Sequence, residues 1–330
     1  MKQDLFVRCK EFIADNRLLQ AREKVILAVS GGPDSIFLFN LFLELRQSQK
    51  IDLVVAHLNH GLREEAGAEE EFVASLCRDN AVRFVSQSKD VRRLCKGDSL
   101  EQTARNLRYD FFLATARRLK IKKVILAHHK DDLIETVLLR ILRGTGLLGL
   151  RGMLPLSKYK KVVLIRPLLF LEKYEILTFL KNRNLTFMLD KSNLEDVFLR
   201  NKIRHDLAPS LARMSPTYKN SIYNLAKTIS WDYDYIFQKA HAAFERSLIR
   251  QTDTLVEINT AKVLSLHRAL AYNLLRICIE RAKGSLRRVE SKHLEQLFEL
   301  LHSLPVGSVI DLPGLKVSKK EHSLAFRRMS

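Results

Sequence analysis

The chain contains a short glycine-containing segment whose residue types suit phosphate binding. Ser30-Gly31-Gly32-Pro33-Asp34-Ser35 follows an apolar run, residues 24–29, and precedes a segment of helical length. Glycines lack a Cβ atom, so backbone N–H groups can approach phosphate oxygens, and a helix N-terminus adds partial positive charge. Ser30 and Ser35 can add hydroxyl donors, and Pro33 suits a first helical turn. An ordinary tight turn between strand and helix is the alternative interpretation.

Asp34 is the unexpected residue in this segment, because a carboxylate repels phosphate unless it holds a metal ion or orients a positively charged partner. Two better known phosphate loops are excluded. The chain has no GxxxxGK[ST] string, and its single GxGxxG string, residues 144–149, follows a predicted helix rather than the strand that a dinucleotide site requires.

Histidines stand at the ends of two further apolar runs. His57 closes residues 53–58, where an adenosine ligand would lie in a parallel sheet, although a core histidine would look the same. His128 and His129 precede Asp131 and invite a zinc interpretation. Adjacent histidines point apart on a helix, however, and the sequence supplies no third soft ligand, which argues against zinc.

The elements that must position these residues alternate between strand and helix. Apolar runs rich in β-branched residues are predicted as strands, and the segments between them have helical length. The predicted strands are residues 24–29, 53–58, 83–87, 124–127 and 162–165. The predicted helices are residues 34–45, 64–78, 99–119, 130–142, 172–183 and 194–206. Residues 1–213 are therefore predicted to form an α/β domain, a doubly wound and mostly parallel sheet that binds ligands at its carboxyl edge.

A smaller, mainly helical second domain is predicted for residues 214–330. Its predicted helices are residues 217–250, 261–283 and 291–303. The end of the chain alternates in polarity and contains Pro313-Gly314, which predicts a terminal β-hairpin.

Composition indicates an anionic partner and excludes several classes of protein. The formal net charge of +19 favours a polyanion. The four cysteines form no CxxC pair, which argues against a disulfide framework, a zinc knuckle and an iron–sulfur site. Residues 136–156 are the most apolar long stretch, but three arginines interrupt it, so no membrane span is predicted. We expect a cytoplasmic protein and leave its oligomeric state open, a homodimer included.

Several longer strings together resemble one family. The Ser30–Ser35 segment resembles the SGGxDS loop of the N-type ATP pyrophosphatases, also called PP-loop proteins. The strings that select a member are HLNHGLR from 57, RNLRYDFF from 105, AHHKDDLIET from 127, RGTG from 143, RPL from 166, DKSN from 190 and RNKIR from 200. In order and spacing they resemble the tRNA(Ile)-lysidine synthetase family, strongly over residues 24–204. The terminal Leu-Pro-Gly turn is similar to the end of that family's middle domain, so the chain resembles its short form.

The resemblance implies a specific reaction. ATP adenylates the C2 oxygen of the wobble cytidine in a tRNA(Ile) with a CAU anticodon, and pyrophosphate leaves. The ε-amine of free L-lysine then displaces AMP and forms lysidine, which changes codon and amino-acid specificity from methionine to isoleucine. ATP and Mg²⁺ are the implied cofactors.

Site residues can be assigned under this resemblance. Asp34, Asp131 and Asp132 are candidates for binding Mg²⁺ and for orienting or deprotonating the lysine amine, and the resemblance favours Asp34 and Asp132 for the metal. Arg108 and Arg204 are candidates for neutralising phosphate or developing charge. The alternatives are a surface charge for Arg108 and a tRNA backbone contact for Arg204.

A glycine-containing loop between arginines, residues 143–151, is a candidate for enclosing the cytidine or the lysine. Its candidate residues are Arg143, Gly144, Gly146 and Arg151. A simple helix-to-strand connection is the alternative. Basic clusters at residues 158–161, 287–288 and 316–320 are candidates for holding the tRNA backbone.

Three other functions share part of this pattern. A PP-loop tRNA thiolation enzyme would normally need cysteine pairs, which the chain lacks. A non-catalytic RNA-binding protein with a decayed loop is disfavoured, because Asp34, Asp131 and Asp132 are all present. A glutamine-dependent amidotransferase would need a glutaminase nucleophile that no predicted domain supplies.

Overall fold

A computed structural model describes residues 4–61, 66–95, 99–188, 199–286 and 288–329. Two compact units, Met1–Lys227 and Thr228–Ser330, divide the chain. The division falls within a long helix, and the domain boundary predicted between residues 213 and 214 stays a prediction.

Unit 1 is built on a six-stranded sheet. Its strands are β1 (Lys24–Ala28), β2 (Asp52–Asn59), β3 (Arg83–Ser88), β4 (Lys123–Ile125), β5 (Leu156–Tyr159) and β6 (Val162–Ile165). Their order is β3-β2-β1-β4-β6-β5, and every neighbouring pair is parallel except β5 with β6. The five predicted strands and the mostly parallel sheet are confirmed.

Helices pack on both faces of this sheet. The helices up to residue 214 are α1 (Leu5–Asp15), α2 (Pro33–Gln49), α3 (Ala66–Asp79), α4 (Val91–Leu94), α5 (Leu100–Leu119), α6 (Lys130–Leu142), α7 (Leu147–Leu150), α8 (Lys173–Asn182), α9 (Leu199–Lys202) and α10 (Ala208–Met214). A π-helical turn, Ile203–Leu207, joins α9 to α10. Of the helix predicted for residues 194–206, residues 199–206 are helical, as α9 and the π-helical turn, and residues 194–198 lie outside the described residues.

Alternate residues of the central strands pack into different cores. Val25 and Leu27 of β1 belong to the core beneath α1, α2 and α8, whereas Ile26 belongs to the core beneath α5. When helices cover both sides of a sheet, the side chains on both faces of a strand are buried. These strands are therefore apolar throughout and do not alternate between apolar and polar residues. The doubly wound arrangement predicted from the apolar runs is confirmed.

The sequence interpretation missed one strand of unit 1. β5 is a short edge strand that pairs antiparallel with β6 through a turn at Lys160, whose φ is 51°. Its residues are at most half-buried and include Lys158, so it lacks the apolar run by which buried strands are recognised.

The order of strands locates the ligand-binding edge. β1 lies between β2 and β4, and the chain leaves β1 toward β2 but reaches β4 on the other side. At such a switch point the connections diverge and leave a crevice at the carboxyl ends of the strands. Residues 30–35 and 128–129 follow the ends of β1 and β4, and residues 57–60 form the end of β2 and the position after it.

Unit 2 combines helices with a five-stranded antiparallel sheet. The long helix α11 (Tyr218–Ser247) leads into β7 (Leu248–Gln251), β8 (Leu255–Asn259), α12 (Thr260–Leu264), α13 (Arg268–Lys283), α14 (Ser291–His302), β9 (Val309–Leu312), β10 (Leu315–Lys319) and β11 (Ser323–Arg328). The strand order is β7-β8-β11-β10-β9. The predicted terminal hairpin is confirmed as β9 and β10, which turn at Pro313-Gly314 with Gly314 at φ +78°.

Two helix predictions in unit 2 need correction. The helix predicted for residues 217–250 ends at Ser247, because Leu248 pairs with Ile258 in the sheet. The helix predicted for residues 261–283 is two helices, and His267 begins the second by accepting a hydrogen bond from the Ala269 N–H. Across the described ranges, the structure contains no helix of the length and apolarity that crossing a membrane requires.

Candidate active site

The predicted phosphate loop connects β1 to α2 and is held open by its own residues. Gly31 has a φ of +92°, a left-handed conformation that glycine adopts without strain. The Ser35 hydroxyl donates to the Gly32 carbonyl at 2.8 Å and accepts from the Ser30 N–H at 3.2 Å. Gly32 is the N-cap of α2 and supplies no side chain, so no side chain caps the first N–H groups of this 17-residue helix. This arrangement favours an anion.

Six predicted site residues line one cavity of about 350 Å³ next to this loop. They are Ser30, Gly32, Asp34, Ser35, His57 and Arg108. Arg108 projects from α5, and its Nη2 atom lies 3.2 Å from the Nε2 atom of His60. The structure thus brings a cationic side chain into the wall of the cavity that the phosphate loop lines. Gly31 and Pro33 shape the loop: the Gly31 carbonyl accepts from the Met188 N–H at 3.0 Å, and Pro33 is the first residue of α2.

Two histidines in the wall of this cavity are held neutral. His57 Nδ1 lies 2.9 Å from the Val29 carbonyl oxygen, so Nδ1 donates and Nε2 remains an acceptor. Burial lowers the pKa of His57. Burial also lowers the pKa of His128 to about 3, because the nearby Asp132 only partly offsets the desolvation. Arg108 supplies positive charge to this wall.

The three predicted aspartates converge on one imidazole. His129 Nε2 lies 3.8 Å from Asp34 Oδ2 and 3.5 Å from Asp132 Oδ2, and its Nδ1 lies 3.5 Å from Asp131 Oδ2. Burial lowers the pKa of His129, but the three carboxylates outweigh burial and leave the pKa above its ordinary value. The aspartates come from two segments about 100 residues apart, so only the fold brings them together.

Two lysines that the sequence interpretation missed pair with these aspartates. Lys173 Nζ lies 2.6 and 2.5 Å from the two carboxylate oxygens of Asp34, and the Lys173 backbone N–H donates to Asp131 at 2.8 Å. Lys219 Nζ lies 2.5 Å from Asp131 Oδ1. Burial raises the pKa of Asp131, but hydrogen bonds from His129 and Lys219 more than offset it and hold the pKa well below its usual range.

A second cavity, of about 310 Å³, is lined by the α6 residues Asp131 and Glu135. Its polar wall contains Asp131, Glu135, Arg204 and Lys219, and its apolar wall contains Ile134, Leu138, Ile203 and Pro209. Glu135 binds two guanidinium groups: Arg204 Nε and Nη2 at 2.8 and 3.0 Å, and Arg200 Nε at 3.0 Å. The predicted residue Arg204 thus belongs to this cavity.

Glu135 was within reach of sequence reasoning. It stands four residues after Asp131 on α6, and residues four apart share a helix face. Lys173 and Lys219 carried no such signal, because they lie 139 residues from Asp34 and 88 residues from Asp131 in the sequence.

The donors available to a metal are oxygens from aspartate. Asp34 and Asp132, the predicted ligands, face the same His129 nitrogen. Among the residues that the structure describes, no group of three or more His, Cys, Asp or Glu side chains is arranged to hold a metal ion by itself. Mg²⁺ commonly binds through one or two carboxylates together with substrate phosphates, and this donor set fits that mode.

The predicted glycine-containing loop lies apart from both cavities. Arg143, Gly144, Gly146 and Arg151 are absent from the lining residues of either one. Arg140 fixes the end of the loop by donating to the Gly149 and Gly152 carbonyls at 2.7 and 3.0 Å. The role predicted for this loop stays a prediction. The DKSN string at 190, Arg63 of the HLNHGLR string and Arg287 lie outside the described residues.

Comparisons with known proteins agree with this geometry. The model of the PP-loop domain family ATP_bind_3 matches residues 1–211. The tRNA(Ile)-lysidine synthase of Clostridioides difficile is 34% identical over 325 residues, which is 97% of this chain and 70% of that protein. The enzyme of the same name from Geobacter sulfurreducens is 35% identical, over 97% of this chain and 68% of that protein.

A solved structure shares the fold of a large part of the chain. The U34-tRNA thiolase NcsA from Methanococcus maripaludis, with its [4Fe-4S] cluster, has a TM-score of 0.57 and 18% sequence identity over 68% of this chain and 78% of that chain. At this identity the likeness concerns the fold alone.

Proposed function

As a member of the tRNA(Ile)-lysidine synthase family of PP-loop proteins, the chain is an ATP-using ligase that modifies tRNA, and we propose that its two cavities divide the reaction. The cavity at the phosphate loop takes ATP, and the second cavity, which α6 lines, takes free L-lysine. The observation that carries this division is the segment that leads from β4 into α6, because His128, just before α6, lies in the wall of one cavity, and Asp131 and Glu135 of α6 lie in the wall of the other.

The phosphate-loop cavity suits the activation half of the reaction. In this half, the C2 oxygen of the wobble cytidine attacks the α-phosphorus of ATP, the bond between the α- and β-phosphates breaks, and pyrophosphate leaves. The loop residues 30–35 and the open N-terminus of α2 offer N–H and hydroxyl donors to the phosphates. Arg108 supplies a guanidinium to the same cavity, where it can stabilise the charge that develops on the leaving group.

Mg²⁺ is the cofactor that we propose for Asp34 and Asp132. When bound, it neutralises phosphate charge and polarises the phosphoryl oxygens. Asp34 is half-buried and pairs with Lys173, so its carboxylate is already oriented within the cavity.

The second cavity suits an amino acid with a long alkyl chain and charges at both ends. Its apolar wall can cover methylene groups, Asp131 and Glu135 can accept hydrogen bonds from ammonium groups, and Arg204 can pair with a carboxylate. In the second half of the reaction the ε-amine attacks C2 of the adenylated cytidine, the bond from C2 to the adenylate oxygen breaks, and AMP leaves. The amine must lose its proton, and Asp131 is a weak base because its pKa is held low.

Three of the four cysteines do not suit thiolation. Cys9, Cys77 and Cys278 are buried in the cores, and burial raises the pKa of Cys77 to about 12. None of these three lines either cavity. Thiol nucleophiles need an accessible, acidic thiol, which these residues do not provide.

The test is pyrophosphate release by the purified chain with ATP and Mg²⁺, with and without a CAU-anticodon tRNA(Ile) transcript and radiolabelled lysine. We expect release that requires the tRNA, with label entering the RNA. Asp34→Asn should lower the release rate by roughly 100-fold or more, whereas the matched variant Asp52→Asn, at an exposed position outside the cavities, should not.

Two results would contradict the proposal in different ways. Release that requires tRNA without lysine incorporation would keep the activating loop and reject lysine as the nucleophile. Folded chain that binds tRNA but releases no pyrophosphate would indicate a binding protein.

A further inference from the structure

The exposed side of α11 carries two large aromatic side chains on one row. Trp231 and Tyr235 are 62% and 63% exposed, and they stand four residues apart. Residues at this spacing lie on the same helix face, about 6 Å apart along the axis. Lys239 continues the row, with Nζ 5.3 Å from the centre of the Tyr235 ring. We call Trp231, Tyr235 and Lys239 the aromatic ridge.

The buried residues of α11 lie on a different side of the helix from Trp231 and Tyr235. Within unit 2, α11 buries Tyr233, Ala240 and Phe244. Residues two apart on a helix differ by about 200° in direction, so Trp231 and Tyr235 point away from the side on which Tyr233 is buried. Exposure of large aromatic side chains to water is unfavourable, so a ligand that covers this face would be stabilised.

The chemistry of the ridge selects one class of ligand. Flat aromatic rings followed by a cation are the elements with which proteins hold single-stranded nucleic acid, by stacking on bases and pairing with phosphate. Asp232 and Asp234 are exposed beside the ridge. Their charges oppose an anionic membrane, and they place carboxylates beside the rings, which is unfavourable for a buried protein interface of the typical size of roughly 800 Å² per partner. Carboxylates can, however, accept hydrogen bonds from the amino groups of bases.

We propose that the aromatic ridge stacks on an unpaired base of the tRNA substrate. This inference rests on the proposed function in one respect, that tRNA is the substrate. The net charge of +19 attracts the tRNA as a whole, and the ridge adds a contact that depends on base stacking rather than on charge.

Trp231 is the single tryptophan of the chain, so its fluorescence reports on the ridge alone. The experiment is a titration of the full chain with the CAU-anticodon tRNA(Ile) transcript in the absence of ATP. Tryptophan emission and filter binding are measured on the same samples, and N-acetyltryptophanamide corrects for absorption by the RNA. We expect saturable quenching whose midpoint equals the Kd from filter binding.

Variants separate stacking from charge. Trp231→Ala and Tyr235→Ala should each raise the Kd for tRNA by roughly 5- to 100-fold, and Trp231→Phe should restore most of the affinity. Neither alanine variant should alter the slope of log Kd against log salt, whereas Lys239→Gln should lower that slope by about 0.7–0.9. Leu264→Ala, which also removes an exposed apolar side chain from unit 2, is the matched control and should bind as the unmodified chain does.

The outcomes distinguish this inference from the proposed function. Unchanged emission while filter binding saturates and pyrophosphate is released would overturn the ridge proposal and leave the function intact. Emission that changes with protein concentration alone would assign the ridge to a second copy of the chain and overturn the proposal as well. Absence of tRNA binding by either method would overturn both.

Discussion

Lys173 holds Asp34 through both carboxylate oxygens, at 2.6 and 2.5 Å from its ammonium nitrogen. The pair joins the first turn of α2 to the first residue of α8, and it places a cation at one of the two carboxylates proposed for Mg²⁺. A lysine and a metal ion compete for the same oxygens, so the pair gives the proposed metal site a direct test.

Replacing Lys173 with methionine should increase the affinity for Mg²⁺. The change removes a positive charge in contact with Asp34 and keeps the length of the side chain. Because the pair is partly exposed to solvent, we expect a modest effect, a roughly three- to tenfold lower Mg²⁺ concentration for half-maximal pyrophosphate release. Lys181→Met, at an exposed position on the same helix, is the control. An unchanged or higher Mg²⁺ requirement would remove Asp34 from the metal site.

Replacing Gly31 with alanine should damage the phosphate loop through its backbone. A Cβ atom there would meet Phe72, Val73 and Met188 at 3.6 Å, which is ordinary contact, so space is not limiting. The φ of +92° is unfavourable for alanine and should cost about 1–2 kcal/mol. We expect a higher KM for ATP and a lower melting temperature.

Gly67→Ala is the matched control for this variant. Gly67 lies on α3 with open space around its Cβ position. Alanine favours a helix over glycine by roughly 0.5–1 kcal/mol, so this variant should be as stable as the unmodified chain or more so. Equal effects of the two substitutions would show that the loop conformation is not the cause.

The stability of the chain should fall as the pH falls below about 6.5. His128 has a pKa of about 3 in the folded chain, against about 6.5 when unfolded. Below pH 6.5 His128 is therefore protonated in the unfolded chain but not in the folded chain. The free energy of unfolding then falls by up to about 1.4 kcal/mol for each pH unit. Urea unfolding between pH 7.5 and 5 measures this slope.

His128→Gln should make the dependence of the unfolding free energy on pH shallower, because up to one fewer proton is taken up on unfolding. This expectation holds whatever the substitution does to the stability at pH 7.5. His322→Gln, at an exposed position in unit 2, should keep the original slope. Equal slopes for the His128 variant and the unmodified chain would mean that His128 takes up its proton in the folded state.

Replacing Arg204 with lysine should weaken the proposed lysine cavity more than the ATP cavity. Arg204 donates to both oxygens of Glu135, and a lysine ammonium cannot reproduce that planar, two-point contact. We expect a roughly tenfold higher KM for lysine, the effect of losing about 1.4 kcal/mol, with little change in the KM for ATP. Arg213→Lys on α10 is the control. A selective rise in the KM for ATP would reverse the assignment of the two cavities.

Much of unit 1 could be predicted because its signals are local. Each signal is contained in a stretch of about ten residues. The signals are the apolar strands, the glycines at the end of β1 and the aspartates at the start of α6. The strands of unit 2 were predicted less accurately, because β7, β8 and β11 are short and partly polar. In addition, β8 pairs with β11, which is far from it in the sequence. Helix boundaries failed where pairing in the sheet outweighed helical propensity, as at Leu248.

The sequence by itself determined the family, the parallel sheet and the identity of the residues at the phosphate loop, because these depend on residue type and short spacing. Only the tertiary structure decided which charges meet. It placed Lys173 on Asp34, Lys219 on Asp131 and Arg204 on Glu135, and it gave the phosphate-loop cavity and the cavity lined by α6 different walls. The physical reason is that ion pairing acts between side chains within a few ångströms in space, whereas the pattern along a chain records only the neighbours that each residue has in sequence.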